Sequence, residues 1–202
     1  MPKKDEIYKF KIALEGISPQ IWRRILVPAD YSFWDLHVAI QDSMGWSDSH
    51  LHMFRERQRK GVEIGIPDDD GFEDAPVVIP CWKIPISKYF RKCGDKMMYD
   101  YDFGDGWTHT VDLEEILPKE KGGKYPRCIA GERACPPEDC GGTFGYQRIL
   151  EILKNPKHKE YESTMQWFED SSSYMGYDPE AFVPEDVHFW NPKERLKMMM
   201  EG

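Results

Sequence analysis

Apolar and polar positions alternate with a period of two near the start of the chain. One face of this segment carries four apolar side chains, Tyr8, Phe10, Ile12 and Leu14. The alternation predicts a strand with one buried face. Gly16 and Ser18-Pro19 break the pattern, and residues 21–27 predict a second strand that Pro28 ends.

A helical period follows. Leu36, Ile40 and Met44 recur every four residues, Ser32 stands where an N-cap belongs and Gly45 where a C-terminal glycine belongs. These signals predict a helix over residues 33–44. Alternation then returns at residues 50–56 and predicts a third strand.

The middle of the chain is rich in residues that interrupt helices and strands. Residues 57–76 are rich in glycine and aspartate, which predicts a mobile acidic insertion. Two prolines in residues 77–86, Pro80 and Pro85, restrict any strand there to an edge of the sheet. Residues 87–92, closed by Gly94, predict a short helix.

The strongest hairpin signal lies around Gly104-Asp105-Gly106. Before this turn, Tyr99, Tyr101 and Phe103 are predicted to share one face. After it, four residues are predicted to share a face of the return strand: Trp107, His109, Val111 and Leu113.

The last third of the chain predicts helices. Residues 118–142 contain many glycines and prolines and predict a loop. Helical periods then appear before Asn155-Pro156 and over residues 157–168, and the tail predicts short helices joined by turns. The element order predicts an α+β fold with a mixed or antiparallel sheet, helices packed on one side and a helical C-terminal third. We find no linker and expect a single domain over residues 1–202.

Charge and cysteine content narrow the classes of function. The formal net charge is −9, which disfavours non-specific nucleic-acid binding. Two groups are candidates for a local basic patch: Arg23-Arg24, and a second group of Arg55, Arg57, Arg59 and Lys60. The longest uncharged stretches, residues 75–82 and 140–147, are too short to span a bilayer, and the start of the chain has no apolar leader. The odd number of cysteines, five, predicts reduced thiols and a cytoplasmic location.

Four segments together resemble the plasmid pRiA4b ORF-3-like family. They are ISPQIWRR from Ile17, MGWSDSHLH from Met44, YDYDFGDGWTH from Tyr99 and ACPPEDCGG from Ala134. The resemblance runs from about Tyr8 to Phe182. It implies little about activity, since some members carry a resolvase label and a few are fused to DNA-binding domains. This sequence shows neither a helix-turn-helix nor a serine flanked by several arginines in a strand-to-helix context.

The cysteine-rich segment is a candidate metal site. Cys128, Cys135 and Cys140 could ligate zinc, although a structural site needs a fourth ligand and prefers closer pairs. The alternative is that the cysteines pack a Pro-Gly loop. Glu138 and Asp139 in the same loop are candidate metal ligands or helix caps.

Histidines and aspartates supply the other candidates. His50 and His52 are two apart on a predicted strand, so we expect them to share a face and either ligate a divalent metal or sit on a polar sheet surface. In the hairpin, Asp102 or Asp105 could pair with His109 for general base chemistry. The local alternatives are a tight turn at Asp105 and a partly buried His109.

Three hypotheses of function follow. The first is a binding module without catalysis, which uses the hairpin tip, the His50–His52 strand and the Cys135–Cys140 loop to recognise a protein or a small ligand. The second is a metal-dependent hydrolase or nuclease, whose ligands would come from six residues: His50, His52, His109, Asp102, Glu138 and Asp139. The third is a nucleic-acid accessory factor of mobile elements. Nucleotide-binding, zincin and α/β-hydrolase motifs are absent from the sequence.

Overall fold

The structure is a computed structural model that describes residues 5–57, 61–67, 77–170 and 174–201. Strands of the described residues are β1 (Glu6–Leu14), β2 (Trp22–Pro28), β3 (His52–Arg55), β4 (Glu63–Gly65), β5 (Val78–Pro80), β6 (Lys96–Tyr101), β7 (Trp107–Pro118) and β8 (Arg127–Glu132). The helices are α1 (Phe33–Met44), α2 (Gly142–Leu153), α3 (Tyr161–Asp170) and α4 (Pro192–Glu201). Short 3-10 turns occupy Cys81–Lys83, Ile86–Lys88 and Pro184–Asp186.

All these strands form one sheet with the order β5-β4-β3-β6-β7-β1-β2-β8. Neighbours pair antiparallel, except that β4 and β5 pair parallel. The prediction of an α+β fold with a mixed sheet and a helical C-terminal region is confirmed. The proline-containing strand β5 lies at an edge, as predicted, because proline cannot donate to a second neighbour.

Helix α1 has the predicted bounds because both of its ends are capped. The Ser32 hydroxyl accepts a hydrogen bond from the Asp35 amide, while the Asp35 carboxylate accepts one from the Ser32 amide. Gly45 takes the left-handed conformation, with φ of 93°, and ends the helix. Most residues of the helix are buried against the sheet, which fixes its position. Because Gly45 ends the helix, the loop that follows starts from a defined position.

The hairpin of β6 and β7 is confirmed. Tyr99, Tyr101 and Trp107 are fully buried in the core. Phe103 was expected to share their face but lies in the turn with 54% of its surface exposed. The strand ends at Tyr101 and Asp102 takes a φ of 52°, so the period of two does not reach Phe103.

Two strands lie where the sequence predicted loop. β8 falls inside residues 118–142, and β4 falls inside the acidic insertion of residues 57–76, of which 58–60 and 68–76 lie outside the described residues. β4 has only three residues and β8 is an edge strand, so pairing with β3 and β2 stabilises them more than their own side-chain pattern does. The short helix predicted at 87–92 is a 3-10 turn at Ile86–Lys88.

Arg23 lies inside the protein rather than in a basic patch. It is 1% exposed, and its guanidinium donates hydrogen bonds to the backbone oxygens of Trp22, Ser43 and Glu132. The guanidinium also lies 3.6 Å from the ring centroid of Phe182. Arg23 therefore ties β2, β8 and the end of α1 together.

Helix α4 returns to α1 at the far end of the chain. The Trp34 indole donates to the Pro192 carbonyl at 2.8 Å, and Arg195 pairs with Asp42 at 3.2 Å. This docking brings Arg195 near the loop that follows α1. In the part of the chain that the structure describes, no helix is both long and apolar enough to cross a bilayer.

Candidate functional site

Three loops that are distant in sequence meet at one end of the sheet. We call the meeting point the three-loop junction: residues 45–51 after α1, residues 102–106 at the β6–β7 turn, and residues 133–141 before α2. The Asp102 amide donates to the Leu51 carbonyl at 3.0 Å, and the Gly141 amide donates to the Asp105 carboxylate at 3.1 Å. The Trp46 indole donates to the Pro136 carbonyl at 2.9 Å. Each loop is thus bonded to a neighbour.

One side chain from each loop forms a cluster at this junction. His50 Nε2 lies 3.2 Å from Asp139 Oδ1 and 3.7 Å from Asp102 Oδ2. The three candidate ligand atoms lie within 4.8 Å of one another. Asp102 is buried, His50 is partly exposed, and the Asp139 side chain is 75% exposed. We call these residues the His50 triad.

The backbone holds the triad in place. Asp102 Oδ1 accepts hydrogen bonds from the amides of Gly104 and Asp105, which closes the turn and leaves Oδ2 directed toward His50. Asp102 and Asp139 have φ values of 52° and 56°, in the left-handed region that aspartate tolerates better than most residues. Such conformations persist only where the surroundings enforce them.

Glu138 does not join the triad, although it precedes Asp139. Its carboxylate accepts hydrogen bonds from the Ser47 amide at 3.1 Å, from the Ser47 hydroxyl and from the Tyr101 hydroxyl. Its own amide donates to the Tyr174 hydroxyl at 2.8 Å. Burial, followed by the contact with Glu138, raises the pKa of Tyr101, so Tyr101 remains a donor. Glu138 therefore fastens the cysteine-rich loop to residues 45–51.

A second histidine cluster lies deeper. His37 Nε2 contacts Asp48 Oδ1 at 2.8 Å, and His37 Nδ1 contacts the Tyr99 hydroxyl at 2.8 Å. Burial lowers the pKa of His37 well below its usual value, so the ring is neutral. Since a carboxylate can only accept, Nε2 carries the proton and donates to Asp48, while Tyr99 donates to Nδ1.

His52 completes this deeper cluster and not the His50 triad. The expectation that His50 and His52 share a face is wrong, because β3 begins at His52 and His50 belongs to the preceding loop. His52 stacks on His37 and is buried, and neither of its ring nitrogens has a hydrogen-bond partner among the described residues. Burial, followed by the neighbouring His37, lowers the pKa of His52.

His109 does not pair with Asp102 or Asp105. It faces the core, where Nδ1 lies 3.3 Å from the Tyr99 carbonyl oxygen and burial lowers its pKa to about 4. The histidine beside Asp102 is His50 instead. His109 follows the strand alternation that the sequence showed, and that alternation directs it inward.

The three cysteines of the candidate zinc site stay apart from these clusters. The close groups of possible metal ligands among the described residues contain none of them. Burial raises the pKa of Cys128 and Cys135, and it raises that of Cys140 to about 12. Because no close group of possible ligands includes these thiols among the described residues, the arrangement favours packing of the loop.

Two cavities border the His50 triad. One, of about 350 Å³, lies between α2 and α3 and includes Asp139 and Trp167 in its wall. The other, of about 380 Å³, lies between the junction and α4 and includes His50, Asp48 and Arg195. Both volumes fall in the range of small-molecule sites.

Several residues of the site escaped the sequence analysis. His37, Asp48 and Arg195 come from α1, its following loop and α4, which only the fold brings together. Asp48 lies inside the segment MGWSDSHLH, so that segment was a usable signal. The sequence offered none for Arg195.

The sequence profile described as "Plasmid pRiA4b ORF-3-like protein" matches residues 6–186. The curated "Uncharacterized protein y4hQ" of Sinorhizobium fredii is 35% identical over 162 residues, which are 80% of this chain and 80% of that protein. A solved structure, titled "Crystal Structure of Protein of Unknown Function MM3350 from Methanosarcina mazei Go1", is 43% identical with a TM-score of 0.80. It matches over 93% of this chain and 100% of that one. None of these names assigns an activity.

Proposed function

This chain belongs to the plasmid pRiA4b ORF-3-like family, and from the geometry of its three-loop junction we propose that it is a ligand-binding module. The observation that carries the proposal is the approach of His50, Asp102 and Asp139 from three separate loops to within 4.8 Å of one another. Side chains brought together from distant segments, beside two cavities, are typical of a binding site.

The rigidity of the junction supports binding. Residues held by Glu138, by the β6–β7 turn and by the Trp46 indole are ordered before a ligand arrives. A site ordered in advance loses less conformational entropy on binding. The ligand this surface suits is a small molecule with a polar group at the triad and an apolar group in one of the cavities.

The proposal is tested by nuclear magnetic resonance on the nitrogen-15-labelled full chain, first after treatment with a chelator and again with added Zn²⁺. The probes are a fragment library of carboxylic acids, phosphates and amides. We expect shift changes concentrated in residues 45–51, 102–106 and 133–141. Fragments that bind only elsewhere, or none that bind at all, would contradict the proposal.

A metal-dependent hydrolase is the second candidate, favoured by the donor atoms of the His50 triad. Of the ligand set expected for it, His50, Asp102 and Asp139 converge, while the remaining three members have other partners or directions: His52, His109 and Glu138. The test is hydrolysis of p-nitrophenyl esters and phosphates with added Mn²⁺. Turnover that disappears in Asp139→Asn would support it, and turnover unchanged in that variant would exclude the triad.

A nucleic-acid accessory role has less support. Arg23 is buried, Arg55 pairs with Asp100 at 2.5 Å, and Arg59 and Lys60 lie outside the described residues. Arg24 pairs with Glu114 at 2.6 Å. Salt-dependent retention of the chain on duplex DNA would revive this role.

We also propose a cytoplasmic location. All five cysteines are free, which suits a reducing compartment. Fractionation of cells that express the full chain tests it, and recovery outside the cytoplasmic fraction would contradict it.

A further inference from the structure

We infer that His50, Asp102 and Asp139 bind one divalent cation. The inference rests on the proposed function, because it names the group through which the junction would hold its ligand. It also goes further, because it assigns three side chains a common chemical role.

The spacing of the donor atoms fits a shared ion. A first-row metal lies about 2 Å from nitrogen and oxygen ligands, so neighbouring ligands of one ion lie about 3 to 4 Å apart. His50 Nε2 lies 3.2 Å from Asp139 Oδ1 and 3.7 Å from Asp102 Oδ2. Small side-chain adjustments would bring all three atoms into contact with one ion.

The hydrogen bonds of the junction leave the triad atoms unused. Asp102 is 7% exposed, and its Oδ1 serves the turn amides, while no described residue donates a hydrogen bond to its Oδ2. His50 Nε2 is shielded from solvent and has no hydrogen-bond partner among the described residues. A plain His–Asp hydrogen bond would explain the cluster without a metal, but Nε2 lacks the geometry for one with either carboxylate.

Charge argues in the same direction. Two carboxylates approach each other beside an imidazole, and Asp102 is buried. A buried carboxylate is costly unless a cation or several donors compensate it. A bound divalent cation would compensate both carboxylates at once.

The deeper cluster offers the same residue types but not the same chemistry. The rings of His37 and His52 lie in nearly parallel planes with their centroids 3.5 Å apart, so the nitrogen lone pairs of each ring lie within its own plane. An ion about 2 Å from both nitrogens would lie far outside the plane of each ring. The cation site is therefore assigned to the His50 triad alone.

The donor set indicates which metals fit. One imidazole and two carboxylates suit Mn²⁺, Fe²⁺ or Zn²⁺ better than Ca²⁺, which takes six to eight oxygen ligands. Three protein ligands leave further coordination positions, and the exposed side of Asp139 opens toward solvent and the α2–α3 cavity. A site with open positions can accept a ligand atom on the metal.

The test is a titration of the chelator-treated full chain with Mn²⁺, in which electron paramagnetic resonance measures the free ion. We expect saturation at one equivalent and competition by Zn²⁺. Asp139→Asn should weaken binding by about tenfold or more, since it removes a ligand charge. Glu185→Gln, which changes the same charge at an exposed carboxylate, is the matched control and should bind as the unmodified chain does.

Each outcome is decisive. Binding that is absent, or that survives unchanged in Asp139→Asn, overturns the inference, and so does equal weakening in Asp139→Asn and Glu185→Gln. Thermal melting of both variants without metal checks that the fold is intact. Fragments that bind the junction in chelated protein without Mn²⁺ binding would refute the cation and keep the binding module. Mn²⁺ binding without fragment binding would support the cation site and refute the binding module.

Discussion

The imidazole rings of His37 and His52 stack face to face, with centroids 3.5 Å apart and planes inclined by 9°. Both rings are buried and neutral, because burial lowers the pKa of each. The stack joins α1 to β3. Asp48 accepts a hydrogen bond from His37 and so belongs to this pair rather than to the His50 triad. One histidine pair therefore contributes to the core while His50, two residues from His52, remains available at the junction.

His109 should make stability depend on pH. Its pKa is about 4 in the folded chain and near 6.5 when unfolded. Above pH 6.5 the residue is neutral in both states and contributes nothing. As the pH falls below 6.5, only the unfolded chain takes up the proton, so the free energy of unfolding falls.

Urea denaturation of the unmodified chain and of His109→Phe at about pH 7.5 and about pH 5 measures this effect. We expect the unmodified chain to lose on the order of 2 kcal/mol more than the variant over that interval. Other titrating groups cancel in the comparison. Equal losses in the two proteins would show that His109 does not carry the effect.

Asp102 should have separable structural and ligand roles. Asparagine keeps the side-chain oxygen that accepts from Gly104 and tolerates the positive φ, so Asp102→Asn should change the free energy of unfolding by less than about 0.5 kcal/mol. Asp102→Ala loses both and should cost about 1 to 2 kcal/mol. Both variants should lose Mn²⁺ binding. Unchanged Mn²⁺ affinity in Asp102→Asn would remove Asp102 from the ligand set.

Gly142 permits the close approach of the cysteine-rich loop to the hairpin. A Cβ there would lie 2.3 Å from the Asp105 carbonyl oxygen, and φ is 65°. Gly142→Ala should cost about 3 kcal/mol or more, measured by urea denaturation. Gly122→Ala is the matched control, because φ is 78° and no atom lies within 4 Å of the added Cβ. The control should cost only about 1 kcal/mol, and equal losses would contradict the clash.

Arg23 and Arg24 should differ in stability although they are adjacent. Arg23→Met leaves three backbone oxygens without their donor and should cost about 3 kcal/mol. Arg24→Met breaks a partly exposed pair with Glu114 and should cost at most about 1 kcal/mol. Thermal or urea unfolding of both variants measures the difference. Similar losses would mean that the buried guanidinium bonds contribute little.

Sequence patterns predicted the bounds of those elements whose ends are set by interactions between residues close in the chain. The capping box at Ser32, the glycine after α1 and the turn at Gly104-Asp105-Gly106 each act within a few residues, so α1 and the β6–β7 hairpin were predicted closely. β8 was missed because it is stabilised by pairing with β2, which is distant in sequence, and β4 because its three residues are too few to show an alternation. The alternation of apolar and polar residues also gave the wrong orientation for Phe103 and His50, because Phe103 lies after the end of β6 and His50 lies before the start of β3.

The sequence by itself determined the family resemblance, the α+β class and two of the three loops that carry the candidate residues, at the β6–β7 turn and before α2. Only the tertiary structure decided which side chains meet. His50, Asp102 and Asp139 converge because β3 and β6 are neighbours and Glu138 fastens the third loop to Ser47 and Tyr101. The same packing turned His52 and Arg23 inward, whereas His109 faces inward as the alternation of its own strand indicated. Spacing along a chain fixes which face a residue takes within its own element, but distances between elements depend on the pairing of the whole sheet.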